Sequence, residues 1–116
     1  MIEMLKAKIH RAVVTDANLQ YEGSISIASE LMDAAGIYEY QKVLISDINN
    51  GSRFETYVIR SQEKGCICLN GSAARLVSHG DRIIIMSYVL VDEKEAKDWK
   101  PTIVLVDEQN NIVKKH

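Results

Sequence analysis

The sequence holds one proline, two cysteines and six glycines in 116 residues. With so little proline and no low-complexity tract, nothing in it reads as a linker. One domain over residues 1–116 is therefore expected. An excess of charge is lacking as well. Fourteen Lys+Arg against sixteen Asp+Glu give a formal net charge of −2, without the basic excess that nucleic-acid binding leaves in a sequence. No stretch approaches the ~18 consecutive apolar residues of a membrane span. The opening segment MIEMLKAKIHR places Glu3, Lys6, Lys8 and Arg11 where a secretory signal needs an apolar block. These absences predict a soluble, cytoplasmic protein with neither nucleic acid nor membrane as a partner.

Scarce cysteine narrows the chemistry further. Cys66 and Cys68 stand in the segment CICL, where a strand would place them on one face with Cα atoms about 6.5–7 Å apart, the limit for a disulfide. Metal binding would need more ligands, and the three histidines are scattered. Two reduced, partly buried strand cysteines and no metal are expected.

What is present is alternation. In MLKAKIHRAVVT, residues 4–15, Leu5, Ala7 and Ile9 alternate with Lys6, Lys8 and His10, the period of a strand with one apolar face. Further strands are expected at 24–28, 42–48, 53–60, 66–69, 82–91 and 102–106. Asn50-Gly51 marks a hairpin, since both residues tolerate positive φ. SELMDAAG, 29–36, reads as a short helix with Ser29 as N-cap and Gly36 as its stop. Residues 70–80 read as a turn with one helical turn, and 92–99 as another before Pro101. Many short strands with little helix favour a small β-barrel, which removes sheet edges by closure.

Taken singly, the polar residues say little. Lys8 and His10 read as a solvated edge face. Arg53, Glu55 and Tyr57 share one face of a strand, with Arg53 and Tyr57 roughly 13 Å apart along it, as a groove wall or an exposed ladder would have them. Gly71 offers a close backbone approach or an ordinary turn. His79 reads as an exposed turn residue and Trp99 as a loop anchor.

Taken in order, they say more. KIHRAVVTDANLQYEGSISI, then NNGSRFETY, then LNGSAARLVSHGD resemble the pyruvoyl-dependent aspartate decarboxylases of bacteria, from about residue 3 to residues 101–106. The resemblance implies a double-psi β-barrel with short helices, assembled as a homotetramer with active sites between subunits. It implies a proenzyme that cleaves itself between Gly23 and Ser24, into a β chain 1–23 and an α chain 24–116. Ser24 would become a covalent pyruvoyl cofactor that forms a Schiff base with L-aspartate, yielding β-alanine and CO₂ for pantothenate and coenzyme A synthesis. It further implies Tyr57 as proton donor, Thr56 as a residue assisting cleavage and touching substrate, and Arg53 and Lys8 as holders of a substrate carboxylate. Gly71, Ser72 and Ala73 would contact substrate through the backbone, with His10, Asn70 and Tyr21 in support. A maturation factor is admitted as a further partner. Two departures from the family pattern are visible. Ser72 replaces a usual alanine, and Ala28 removes a side chain that would cap the following helix. The rivals are an uncleaved β-barrel binding module and a decarboxylase for a different amino acid, such as glutamate. A pocket separates glutamate from aspartate, one methylene shorter, by only ~1–3 kcal/mol.

Overall fold

Alternation in the first strand decides the architecture. Ala7 and Ile9 are fully buried while Lys6, Lys8 and His10 stay partly open, so β1 turns one face to a core and the other outward. The computed structural model describes residues 1–116. It contains β1 (Ile2–Val13), β2 (Asp16–Asn18), β3 (Ser24–Ala28), α1 (Ser29–Ala35), β4 (Lys42–Asp47), β5 (Arg53–Ser61) and β6 (Ile67–Asn70). A 3-10 turn (Gly71–Leu76), β7 (Arg82–Val91), α2 (Glu93–Ala96), β8 (Thr102–Val106) and β9 (Ile112–Lys115) complete it.

The strands form one ladder in the order β2-β6-β3-β5-β4-β7-β1-β8-β9. Only Val14 and Thr15 separate β1 from β2, yet the two stand six places apart in that ladder. Six strand spacings would span about 29 Å in a flat sheet, and two connecting residues reach about 10 Å. The sheet must therefore curl round. The seam is stitched at Thr15, whose N–H and hydroxyl both donate to the Ile67 carbonyl, while the Ile67 N–H donates to the Thr15 hydroxyl. Asn110 adds to it. Its amide donates to the carbonyls of Val13 and Gly65 and accepts from the Val13 N–H. The result is the expected class, a small, mainly β, barrel-like fold with short helices. Its interior is filled by alternate residues of facing strands, among them Ile9, Ile25, Ile45, Val58, Ile67 and Ile85.

The expected strands all form, within a residue or two of their expected ends. The 48–52 turn is the expected hairpin, with Gly51 at φ 78° and the Asp47 carboxylate accepting from the Asn49 and Asn50 N–H groups. Gly36 ends α1 in the left-handed conformation, its N–H donating to Asp33. Two expectations are corrected. The N-cap of α1 is Ala28, which offers no side-chain acceptor, and Ser29 is the first helical residue. The Ser29 hydroxyl is instead taken by the Arg60 guanidinium, which also pairs with Asp33. β1 is not an edge strand, because β7 and β8 flank it. The short β2 and β9 were not anticipated. β9 buries no residue, so it has no apolar alternation to read.

Candidate active site

Ser24 opens β3 and is 5% exposed. Opposite it in the antiparallel β3–β6 pair stands Asn70, and residues so paired point to the same side. The Asn70 amide donates to the Ser24 hydroxyl at 2.9 Å and to the Ser26 hydroxyl at 3.1 Å. The Ser24 hydroxyl in turn donates to the Glu22 carbonyl at 3.4 Å. Cys68, two residues before Asn70 and so on the same face, donates its thiol to Asn70 Oδ1 at 3.2 Å. Burial, then the nearby Asp16, push that thiol up to about 11, so it stays protonated.

The residues after Asn70 hold the Gly23-Ser24 peptide from the other side. Gly71 is buried with φ +65°. A Cβ there would stand 2.6 Å from the Gly23 nitrogen, 2.7 Å from its Cα and 2.9 Å from the Tyr21 carbonyl oxygen. Only glycine lets the backbone of 21–23 lie so close. Ala73 is also buried, and Ser72 is exposed. Ser24, Asn70, Gly71, Gly23 and Tyr21 thus form one cluster.

Tyr57 joins the same side of the sheet by register. The parallel β3–β5 pairing begins at Ile25 with Val58, both fully buried in the core. The residues just before them, Ser24 and Tyr57, therefore face the other way. Residues 38–41 lie against this part of β5: Tyr40 N–H donates to the Val58 carbonyl and Val58 N–H to that of Gln41. The Tyr40 and Tyr57 rings lie 6.5 Å apart. Thr56 points to the core side, opposite Val43 of β4.

The basic residues are spread across this outer side. Tyr57, Glu55 and Arg53 alternate along β5, and Glu55 faces Leu44, which faces Met86, which faces Lys8. Each antiparallel step keeps the side, so Lys8 shares it with Arg53 and Tyr57. Within one chain, however, Lys8 stands three strands from β5, about 14 Å across. Arg53 meets only the Ser46 hydroxyl, at 3.3 Å, and neither Arg53 nor Lys8 has a carboxylate partner. His10 has a buried Nδ1 without a hydrogen-bond partner. Burial, then Lys8 and Arg11, lower its pKa, which favours the neutral ring. The structure thus gathers one part of the expected site around Ser24 and leaves Arg53, Lys8 and His10 without carboxylate partners on the same sheet side.

Two residues of the Ser24 cluster escaped sequence reasoning. Ser26 and Cys68 stand two positions from Ser24 and Asn70, and strand period alone was the signal for both. The larger surface cleft lies on this outer side, between Glu3, Lys42, Leu44, Glu55 and Tyr88, and does not include Ser24. No three His, Cys, Asp or Glu side chains group to hold a metal ion, and no helix is long and apolar enough to cross a membrane.

The match to known proteins spans the molecule. A family model for aspartate decarboxylase matches residues 1–113. An aspartate 1-decarboxylase of Syntrophus aciditrophicus is 63% identical over 110 residues, 94% of this chain and 95% of that one. One of Caldicellulosiruptor bescii is 61% identical over 114 residues, 97% and 89% of the two chains. One of Campylobacter jejuni is 58% identical over 113 residues, 97% and 90%. Likeness of this degree over nearly the whole length places the chain in the aspartate decarboxylase family.

Proposed function

We propose that this protein decarboxylates L-aspartate to β-alanine and CO₂, using a pyruvoyl group made from its own Ser24 after cleavage at Gly23-Ser24. The observation that carries the reading is the setting of Ser24. It is a buried strand serine whose oxygen receives the Asn70 amide, behind a glycine peptide pressed against Gly71.

The nucleophile and the broken peptide bond both belong to this chain. Ser24 Oγ adds to the Gly23 carbonyl, the Gly23–Ser24 C–N bond breaks, and the amine takes the hydroxyl proton, leaving an ester. Gly23 presents no Cβ to obstruct the approach. Loss of the Ser24 Hα then breaks the Cβ–Oγ bond, and Gly23 departs as a carboxylate. The Asn70 N–H already points at the oxygen on which that charge develops, and such a donor favours the departure. Water replaces nitrogen at the remaining enamine, ammonia leaves, and a ketone stands at the new N-terminus. Thr56, the residue before Tyr57 on β5, is assigned an assisting role.

The ketone supplies an electron sink for the bond between an amino acid's Cα and its carboxylate. The other tasks fall to side chains already in place. Arg53, lacking a carboxylate partner, offers a planar fork to a substrate carboxylate, worth ~1.5–3 kcal/mol per charge-assisted bond. Lys8 adds a second cation. Tyr57 delivers the proton that replaces the lost carboxyl group. His10 orients groups nearby, and the backbone of Gly71, Ser72 and Ala73 borders the substrate. The homotetramer with sites between subunits that the family resemblance implies would let Lys8 of one copy serve the Ser24 of another.

Arg53→Lys tests the reading. It keeps the charge and loses the bidentate fork, so the variant should cleave normally, with kcat/KM on aspartate lowered about 10- to 100-fold. Glutamate should be much the poorer substrate for the wild type. An unchanged kcat/KM for aspartate in Arg53→Lys, or equal use of glutamate, overturns the substrate assignment.

A further inference from the structure

We infer that Cys68 is a positioning residue for self-cleavage, setting through its thiol which end of the Asn70 amide faces Ser24. The inference rests on the reading of Gly23-Ser24 as the cleavage site.

Asn70 stands among three groups, Ser24, Ser26 and Cys68. Two of them are indifferent to its orientation. A serine hydroxyl both donates and accepts, so Ser24 and Ser26 would satisfy either the NH₂ or the oxygen of the amide. A thiol is not indifferent. Sulfur is a weak acceptor, and its single proton must go to an oxygen. The Cys68 thiol has two carbonyl-type oxygens in reach, Asn70 Oδ1 at 3.2 Å and its neighbour's Leu69 carbonyl at 3.9 Å. The shorter contact is the one that matters. It holds Oδ1 toward Cys68 and so turns both amide hydrogens toward Ser24 and Ser26.

Orientation has a chemical consequence. With NH₂ toward Ser24, the hydroxyl proton is directed away, onto the Glu22 carbonyl, and the Ser24 oxygen carries a donor when it becomes part of the leaving carboxylate. With the amide reversed, the hydroxyl would donate to Oδ1, and the leaving oxygen would face another oxygen. The raised thiol pKa, about 11, keeps the proton on sulfur through the neutral and mildly alkaline range. Nucleophilic or redox chemistry is not what this sulfur is suited for, since those need a thiolate.

Cys68→Ala and Cys68→Ser, produced as unprocessed precursors, separate the inference from simple packing. The conversion of full-length chain to the 1–23 and 24–116 products is followed by intact mass over time at neutral pH, with circular dichroism to show the fold. Cys68→Ala removes the donor and should slow cleavage about 3- to 10-fold, the loss of one neutral hydrogen bond. Cys68→Ser keeps the size of the side chain but brings a hydroxyl that accepts as well as donates, so it no longer sets the amide's orientation and should also slow cleavage. If packing were the only role, this near-isosteric variant would cleave at the wild-type rate while Cys68→Ala slowed. A wild-type rate in either variant overturns the inference. A wild type that never cleaves at Gly23-Ser24 instead overturns the function reading on which it rests, so the two failures are distinct.

Discussion

Ser24 and Tyr57 carry different halves of the proposed chemistry, and single substitutions separate them. Ser24→Ala lacks the oxygen that attacks Gly23 and should remain one chain of 116 residues on a denaturing gel, whatever the incubation. Tyr57→Phe leaves that oxygen and its Asn70 donor untouched. It should cleave like the wild type, yet turn over slowly and lose activity as it does so, because the proton is no longer aimed at the substrate carbon. Misdirected protons should leave alanine at the start of the 24–116 chain in place of the ketone, which mass and Edman sequencing read directly. Full turnover in Tyr57→Phe without such loss would make Tyr57 only a wall of the site. At this scale the sequence was most legible where residues sit in a recognisable order, as Tyr21 to Ser24 and Arg53 to Tyr57 do. It read Cys68 only as a reduced, partly buried strand cysteine, since its place beside Asn70 comes from what lies across the strand and not from its neighbours in sequence.

The elements that hold the site are short, so their turns matter as much as their strands. The 3-10 turn after β6 begins at Gly71, and its left-handed φ alone costs an alanine about 1–2 kcal/mol. The added Cβ would also fall within 3 Å of the Gly23 backbone. Gly71→Ala should therefore both lower the melting temperature and slow cleavage, by displacing the 21–23 segment. A variant that melts lower but cleaves at the wild-type rate would show that the close contact has no bearing on the reaction. The β4–β5 turn offers a pH test away from the site. Asp47 is buried, and that burial, with Asp81 beside it, raises its carboxyl pKa. A raised carboxyl favours the folded state when protonated, so this contribution is full below the ordinary carboxylate range and is lost as pH rises through the raised value. Asp47→Asn keeps an oxygen for the Asn49 and Asn50 N–H groups and removes the titration. Its melting temperature should fall less than the wild type's between pH 4 and pH 7. Parallel pH curves for the two proteins would contradict this. Strong alternation made β1, β5 and β7 legible from sequence. The N-cap of α1 falls at Ala28, one residue before the serine that local propensity favours, and the Ser29 hydroxyl meets Arg60, distant in sequence.

Across the whole molecule, curling of the sheet follows from two connecting residues that span six ladder positions. Strand order is a long-range property, which periodicity cannot supply; the barrel expectation came from counting short strands and from resemblance. Lys8 shares a sheet side with Ser24, on strands four places apart in the ladder. A site that uses both should draw Lys8 from a second copy. Lys8→Ala and Tyr57→Phe chains, each of low activity alone, should then regain part of the wild-type activity when co-expressed and assembled together. No recovery in mixed oligomers of verified composition would place the whole site within one chain.

The tests at Ser24, Tyr57 and Lys8 presume that the chain breaks its own backbone, and one measurement addresses that directly. Purified wild-type protein, incubated without other proteins and then denatured, is weighed intact by mass spectrometry. The expected result is two species. One is residues 1–23 with a free carboxylate, and the other is residues 24–116 whose first residue has lost its amine and carries a ketone. A single species at the mass of the full chain, in a preparation that decarboxylates aspartate, would contradict the central role of Ser24.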